Sequence, residues 1–103
     1  MLLDRGADVG ATDAEGRTAL HVAGMAKATQ VVRLLLLNAA TDLSVTDAEG
    51  RTALHTAAMA GDVDVARALL DAGAELGAKQ PDGWTALHLA ALNGHADLVR
   101  LLL

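Results

Sequence analysis

Nine consecutive residues recur three times in this chain, and that recurrence limits its possible folds more than any other feature. Asp47-Ala48-Glu49-Gly50-Arg51-Thr52-Ala53-Leu54-His55 is preceded by Asp13-Ala-Glu-Gly16-Arg-Thr18-Ala-Leu20-His21 and followed by Gln80-Pro-Asp-Gly83-Trp-Thr85-Ala-Leu87-His88. All three share G-x-T-A-L-H, and successive copies stand 34 and 33 residues apart. A period of that length marks a supersecondary unit that buries its apolar face on its neighbours. The chain reads as a stack rather than as one thick core.

Each copy encodes the same local structure. Asp13 to Gly16 and Asp47 to Gly50 suit a type I turn, with Asp opening it and Gly at its fourth position. Gln80-Pro81-Asp82-Gly83 keeps that chemistry, with Pro81 where a fixed φ is favoured. Thr18, Thr52 and Thr85 are natural N-caps for short helices over 19–26, 53–60 and 86–93. Gly61 and Gly94 break two of these, and second helices follow with apolar residues at helical spacing: Val63, Ala66, Leu69 and Leu70, then Leu98, Leu101 and Leu102. Gly73 closes one second helix, as Gly6 closes a helix end at residues 1–4. Trp84 is the only aromatic in a chain that is 52% hydrophobic, so Ala and Leu must supply the burial that rings usually supply. Thin helices packed closely satisfy that requirement.

Thr18-Ala-Leu-His-Val-Ala23, Thr52-Ala-Leu-His-Thr-Ala57 and Thr85-Ala-Leu-His-Leu-Ala90 resemble the T-P-L-H-x-A signature of ankyrin repeats, whose period is about 33. Asn93-Gly94-His95, the run Leu98 to Leu103 and Gly6-Ala7-Asp8-Val9 are in phase with it, so the resemblance covers essentially the whole chain. It implies an all-α solenoid of stacked antiparallel helix pairs, with β-turn or hairpin loops along one edge. The expected organisation is one domain over 1–103. A partial repeat spans 1–12, a degenerate 34-residue repeat 13–46, another repeat 47–79, and a repeat truncated within its second helix 80–103. Because the chain starts and stops inside the same helix, further ankyrin repeats are expected to flank both ends.

Departures from the signature sharpen the expectations. Ala19, Ala53 and Ala86 replace its Pro, which removes a favoured first-turn residue without removing the helix. Lys27 stands where Gly61 and Gly94 stand, and so must adopt a conformation that Gly takes more easily. Gly24 replaces the Ala of positions 58 and 91. An extra residue between Leu36 and Asp42 accompanies the loss of the closing Gly, and is expected to let that helix end without a left-handed residue.

The remaining features bear on function. A formal charge of −5 argues against a nucleic-acid partner, which needs a concentrated basic face. There is no cysteine, hence no thiolate nucleophile or sulfur metal ligand. The longest apolar run, Leu34 to Leu37, is far short of the ~20 residues of a bilayer span, so no membrane insertion is expected. The expectation is a soluble, cytoplasmic protein. His21, His55 and His88 are the candidates for a metal, but stacked helices lie roughly 8–10 Å apart, too far for adjacent motif histidines to share one ion. The resemblance makes them structural, bonded near the turn and to their own Thr, and gives His95 the same role. Asp13 with Glu15 and Asp47 with Glu49 are paired carboxylates on solvated turn tips. Ser44, the only serine, has no base nearby in sequence. The expectation is no enzyme, no cofactor and no metal site.

Binding is where the resemblance gives residue-level guidance. Ankyrin arrays grip protein partners with turn tips and the exposed side of the first helix, which together form a concave face. The matching positions of most interest are Arg17, Met25, Glu49, Arg51, Met59, Asp82, Trp84, Leu92 and Asn93. Trp and Arg are frequent hot-spot residues, and Met adapts to irregular partners. The expected function is a non-catalytic scaffold for protein–protein interaction, the partner being another protein. The alternative is a passive spacer that positions another domain of a larger protein.

Overall fold

Each G-x-T-A-L-H stretch leaves a turn and enters a helix. The computed structural model describes residues 8–103; the helix end expected at residues 1–4 and its stop at Gly6 lie outside the described residues. Three first helices, α1 (Ala19–Met25), α3 (Ala53–Ala60) and α5 (Ala86–Leu92), alternate with three second helices, α2 (Thr29–Leu36), α4 (Val63–Asp71) and α6 (Ala96–Leu102). Helices α1, α3 and α5 pack side by side in one layer, and α2, α4 and α6 in another. Each first helix also packs on its own second helix. No strand is present among the described residues. The fold is an all-α solenoid of helix pairs.

The cap of each first helix explains why Thr and His recur together. The hydroxyl of Thr18, Thr52 or Thr85 accepts the N–H of His21, His55 or His88, while that histidine's Nδ1 accepts the Thr backbone N–H at 3.2, 3.0 and 3.1 Å. Histidine thus takes the place of the Glu or Gln that usually closes such a capping box. Because Nδ1 is an acceptor, the proton of the neutral ring sits on Nε2. That proton points across the stack. His21 Nε2–H donates to the Arg51 carbonyl at 2.8 Å, and His55 Nε2–H to the Trp84 carbonyl at 3.1 Å.

Around these bonds the interior is built from small and aliphatic side chains. Leu20 and Leu54, Ala23, Ala57 and Ala90, then Val32, Val65, Leu69 and Leu98 are all buried. Alanine on the facing sides of α1, α3 and α5 lets their axes approach, so a core whose only fully buried rings are the imidazoles of His21 and His55, among the described residues, can still close. Gly24 extends this. A Cβ there would lie 3.3 Å from the Thr56 hydroxyl, so the glycine leaves room for that buried side chain, which bonds the carbonyls of Ala53 and His21.

Helix ends follow the sequence with two informative exceptions. α4 and α5 close through left-handed Gly73 and Gly94, whose neighbours' N–H groups return to Leu69 and Ala90. α1 closes in the same way on Lys27, at φ 57, with Ala28 N–H bonded to the Ala23 carbonyl at 3.0 Å. Lys27 is the only non-glycine residue at positive φ among the described residues. Neither Ala39 nor Ala40 is left-handed. α2 ends instead on Thr41, whose hydroxyl donates to the Leu35 carbonyl at 2.6 Å, while Asn38 accepts the N–H groups of Ala40 and Thr41. The extra residue gives the loop enough chain to make that closure.

His95 adds a further link between repeats. Its Nε2 lies 3.1 Å from the Met59 carbonyl at the end of α3, and its ring covers Gly61, where a Cβ would sit 2.5 Å from Nδ1. Gly61 therefore meets two demands, a left-handed backbone and the close approach of a ring from the next repeat.

Lys27→Gly relieves the left-handed strain at one exposed position and is expected to stabilise the fold by about 1 kcal/mol. Urea unfolding followed by circular dichroism checks it: the midpoint rises while the slope m stays unchanged. An unchanged or lower midpoint would show that the lysine is not strained there.

Candidate functional site

Two of the turn tips are held by one acidic residue each. In the second, Asp47 Oδ1 accepts the N–H groups of Glu49 and Arg51, both at 2.9 Å, and Oδ2 pairs with Arg51 Nε at 3.0 Å. In the first, Asp13 Oδ1 accepts the N–H groups of Glu15 and Arg17, and Oδ2 pairs with Arg17 Nε. Asp47 is only 7% exposed, so it is not the solvated tip carboxylate that its turn position suggested. The preceding tip covers it: Gly16 abuts the Asp47 and Ala48 backbone, and Ala48 N–H donates to the Glu15 carbonyl at 2.8 Å. Burial pushes the Asp47 carboxyl up, but the Arg51 N–H, the Arg51 guanidinium and the Glu49 N–H outweigh it, and the group ionises below the usual carboxylate range. At exposed Asp13 the Arg17 N–H is the leading cause of a shift in the same direction.

The two guanidinium groups are thereby committed. Arg17 is paired with Asp13 and Glu15, and Arg51 with Asp47 and Glu49. Each also points its remaining nitrogen at a methionine sulfur on the helix behind it, Arg17 Nη1 at Met25 (3.9 Å) and Arg51 Nη1 at Met59 (3.3 Å). The tips are therefore coupled to the C-terminal ends of α1 and α3. Arg17 and Arg51 lie at the expected face but act there as positioning groups.

The third tip is built differently. Gln80 replaces Asp, Trp84 replaces Arg, and the Gln80 Oε1 is buried with no hydrogen-bond partner among the described residues. Asp82 Oδ1 accepts the Trp84 N–H instead, and the Pro81 ring packs on Gly50. Trp84 is partly buried against the core, with its ring tilted over His88 at a centroid distance of 5.7 Å. Asn93 turns its amide back to the Leu89 carbonyl at 3.0 Å.

Of the expected positions, the three exposed apolar side chains form a row. Met25, Met59 and Leu92 occupy the same position in successive repeats and are 43%, 38% and 67% exposed. Met25, Arg51, Thr56, Met59 and Ala60 line a shallow hollow of about 210 Å³ between the first two. The exposed carboxylates Glu15, Glu49 and Asp82 lie on the tips. A larger hollow, about 550 Å³, lies between the loops at residues 43–46 and 73–79, lined mainly by small side chains and backbone. Among the described residues, no group of three or more His, Asp or Glu side chains could hold a metal ion.

Each expected binding residue thus has a place: Met25, Met59 and Leu92 form the row, Glu49 and Asp82 the acidic rim. Arg17, Arg51, Trp84 and Asn93 are engaged with their own repeats. Sequence reasoning passed over Asp13 and Asp47 as organisers. The available signal was an Asp four residues before an Arg in both tips, spacing that a turn folds into a pair.

Comparison with known proteins agrees with this architecture. The family model for ankyrin repeats (three copies) matches residues 1–80 and 36–103, which together span the chain. The protein belongs to the ankyrin-repeat family. Ankyrin repeats generally mediate contacts between proteins. No curated protein matches the chain closely enough to count as a relative. None of the helices is long and apolar enough to cross a membrane, among the described residues.

The site's electrostatics set an acid response in two steps. Burial lowers the His55 pKa from its usual 6.5, so the unfolded chain binds this proton more readily than the folded one. Stability is therefore expected to fall as pH drops below about 6.5, and to fall again below about 4 as Asp47 and Asp13 become protonated. Urea midpoints measured from neutral pH downward check both steps, and His55→Gln should lose the first while keeping the second.

Proposed function

We propose that this chain is a non-catalytic recognition module that binds another protein along the row Met25, Met59 and Leu92 and the acidic tips beside it. The observation that carries this reading is the repetition: one helix position in three successive repeats leaves an adaptable apolar side chain in solvent. Arg17, Arg51 and Trp84 beside it are engaged with their own repeats. Successive first helices stand about 8–10 Å apart. The row therefore suits a partner segment that presents apolar side chains at about that spacing.

Charge narrows the class further. Asp13 and Glu15 face one Arg17, Asp47 and Glu49 face one Arg51, and Asp82 has no Arg at its tip. The first two tips each carry a net charge of −1, while Lys79 beside the third offsets Asp82, so the rim around Met25 and Met59 favours a partner segment with Lys or Arg beside its apolar residues. Such a contact gains orientation from the rim and energy from the methionines, which repack around irregular shapes. A passive spacer has no need of an outward apolar row, and a spacer role is the weaker reading for that reason.

Affinity capture with quantitative mass spectrometry tests the proposal, comparing the parent chain, Met59→Glu and Leu76→Glu. Leu76 is exposed on a loop away from the row and serves as the control. A partner held by the parent and by Leu76→Glu should be lost from Met59→Glu, with binding weakened by roughly 30-fold or more for a hot-spot position. It should also weaken as salt is raised. If Met59→Glu, with unchanged helical circular dichroism, retains every partner, the row is ordinary surface and the spacer reading takes its place.

A further inference from the structure

We propose that Met59 is a site of reversible sulfoxidation by hydroperoxides, with Arg51 deciding which face of the sulfur is attacked. The chain has no cysteine, so methionine supplies all of its sulfur and its most readily oxidised side chains. Two of its three methionines, Met25 and Met59, stand in solvent on the row described above. Arg51 Nη1 donates to the Met59 sulfur at 3.3 Å, while Arg17 Nη1 stands 3.9 Å from the sulfur of Met25. The Arg51 guanidinium is held in place from behind. Its Nε is paired with the buried Asp47 at 3.0 Å and its Nη2 with Glu49 at 2.9 Å, which leaves Nη1 fixed toward the methionine. Because the same three-way engagement recurs at Arg17, it is a built arrangement rather than one chance rotamer.

A thioether sulfur carries two lone pairs, and oxygen added to one or the other gives opposite epimers. At Met59 the Nη1–H of Arg51 occupies one lone pair and leaves the other free. The free pair attacks the outer oxygen of a hydroperoxide. The S–O bond forms as the O–O bond breaks, and sulfur loses the two electrons that the peroxide gains. The proton of the transferred oxygen passes to the departing alkoxide or hydroxide, which leaves as an alcohol or water. One epimer is therefore formed in excess. The product places a strong acceptor oxygen in the hollow that Met59 shares with Met25, Thr56 and Ala60. A reductase specific for that epimer returns it to the thioether. The consequence for binding rests on the recognition reading given above. A sulfoxide at the middle position interrupts the apolar row, so a partner held there is released under peroxide and recovered on reduction.

Treatment of the folded chain with hydrogen peroxide, followed by tryptic mass spectrometry, tests this, because Met1, Met25 and Met59 fall on separate peptides. Two reductases, each specific for one epimer, report the epimer ratio by which of them restores the peptide. At Met59 one epimer should exceed the other about fivefold, the selectivity that a hydrogen bond of ordinary strength to one lone pair allows. At Met25, where the contact is longer, the excess should be smaller. Arg51→Lys keeps a cation beside Asp47 but removes the nitrogen at the sulfur, and should bring the Met59 ratio toward one. If circular dichroism shows that this variant does not fold, the parent oxidised in urea takes its place and should give equal epimers. Equal epimers in the native parent overturn the proposal. So does an excess that survives Arg51→Lys or unfolding, or a Met59 that stays reduced while Met25 is oxidised. Capture on the peroxide-treated Met25→Leu chain tests the consequence separately. A partner lost from Met59→Glu should be lost on oxidation and return on reduction, and one that stays bound to the oxidised chain overturns the switch. A parent that captures no partner contradicts the recognition reading and leaves the epimer result standing.

Discussion

In the first two repeats a single imidazole holds the local and the long-range structure in one bond network. Nδ1 must accept the Thr N–H for the first helix to be capped, which forces the proton onto Nε2. Nε2–H must then find an acceptor, and the carbonyl of the next repeat stands in reach. Capping and stacking are thus not independent. A residue that capped equally well but lacked the second nitrogen, such as Glu, would start the helix and leave the seam without its polar tie. This is also why a buried histidine is compatible with stability here: both of its nitrogens are satisfied, and protonation would turn Nδ1 into a donor facing the Thr N–H.

With the seam fixed, the rest of each repeat can vary. The helix ends differ in chemistry: left-handed glycine in α4 and α5, left-handed lysine in α1, a threonine hydroxyl in α2. Each solution satisfies the same demand, which is that the last carbonyls of a helix find donors. The seam itself tolerates only compensated change. Thr56 brings a hydroxyl into an alanine-lined interface, and Gly24 opposite it gives up a methyl group to admit it. The two exceptions in the first and second repeats are one adjustment seen from both sides.

The fold was largely legible because its signals are local and repeated. Turn, cap and breaker recur in phase, and three copies at one period specify the stack without any knowledge of side-chain packing. The site was legible only in outline. The expected positions lie on tips and first helices, but which of them face outward depends on what each side chain bonds. Arg17 and Arg51, candidates for partner contact in the sequence, are bound by the carboxylates of their own tips and by methionine sulfurs. Asp47 looks solvated and is covered by the tip before it, a burial that arises only when repeats stack. The equivalence of Leu92 with the two methionines is visible in the alignment of the copies. Its significance emerges only once its neighbours are seen to turn inward.

The third tip shows how a repeat can give up one organising interaction and remain in register. Replacing Asp by Gln removes the anion that would collect two N–H groups and a guanidinium, and leaves Oε1 buried without a partner among the described residues, at a cost of about 1–3 kcal/mol. Pro81 also removes the N–H that joins the first two tips. What offsets these losses is contact of another kind. The proline ring lies on Gly50, Asp82 takes over the Trp84 N–H, and the indole covers the imidazole whose Nε2 has no acceptor among the described residues. Van der Waals contact and a shielded ring replace an ionic latch, and the turn keeps its shape because the backbone bond from Gly83 N–H to the Gln80 carbonyl, at 2.7 Å, is unaffected. The latch is therefore a property of the tip surface rather than a requirement of the fold. That leaves this edge free to differ from one repeat to the next, while the histidine seam beneath it stays constant.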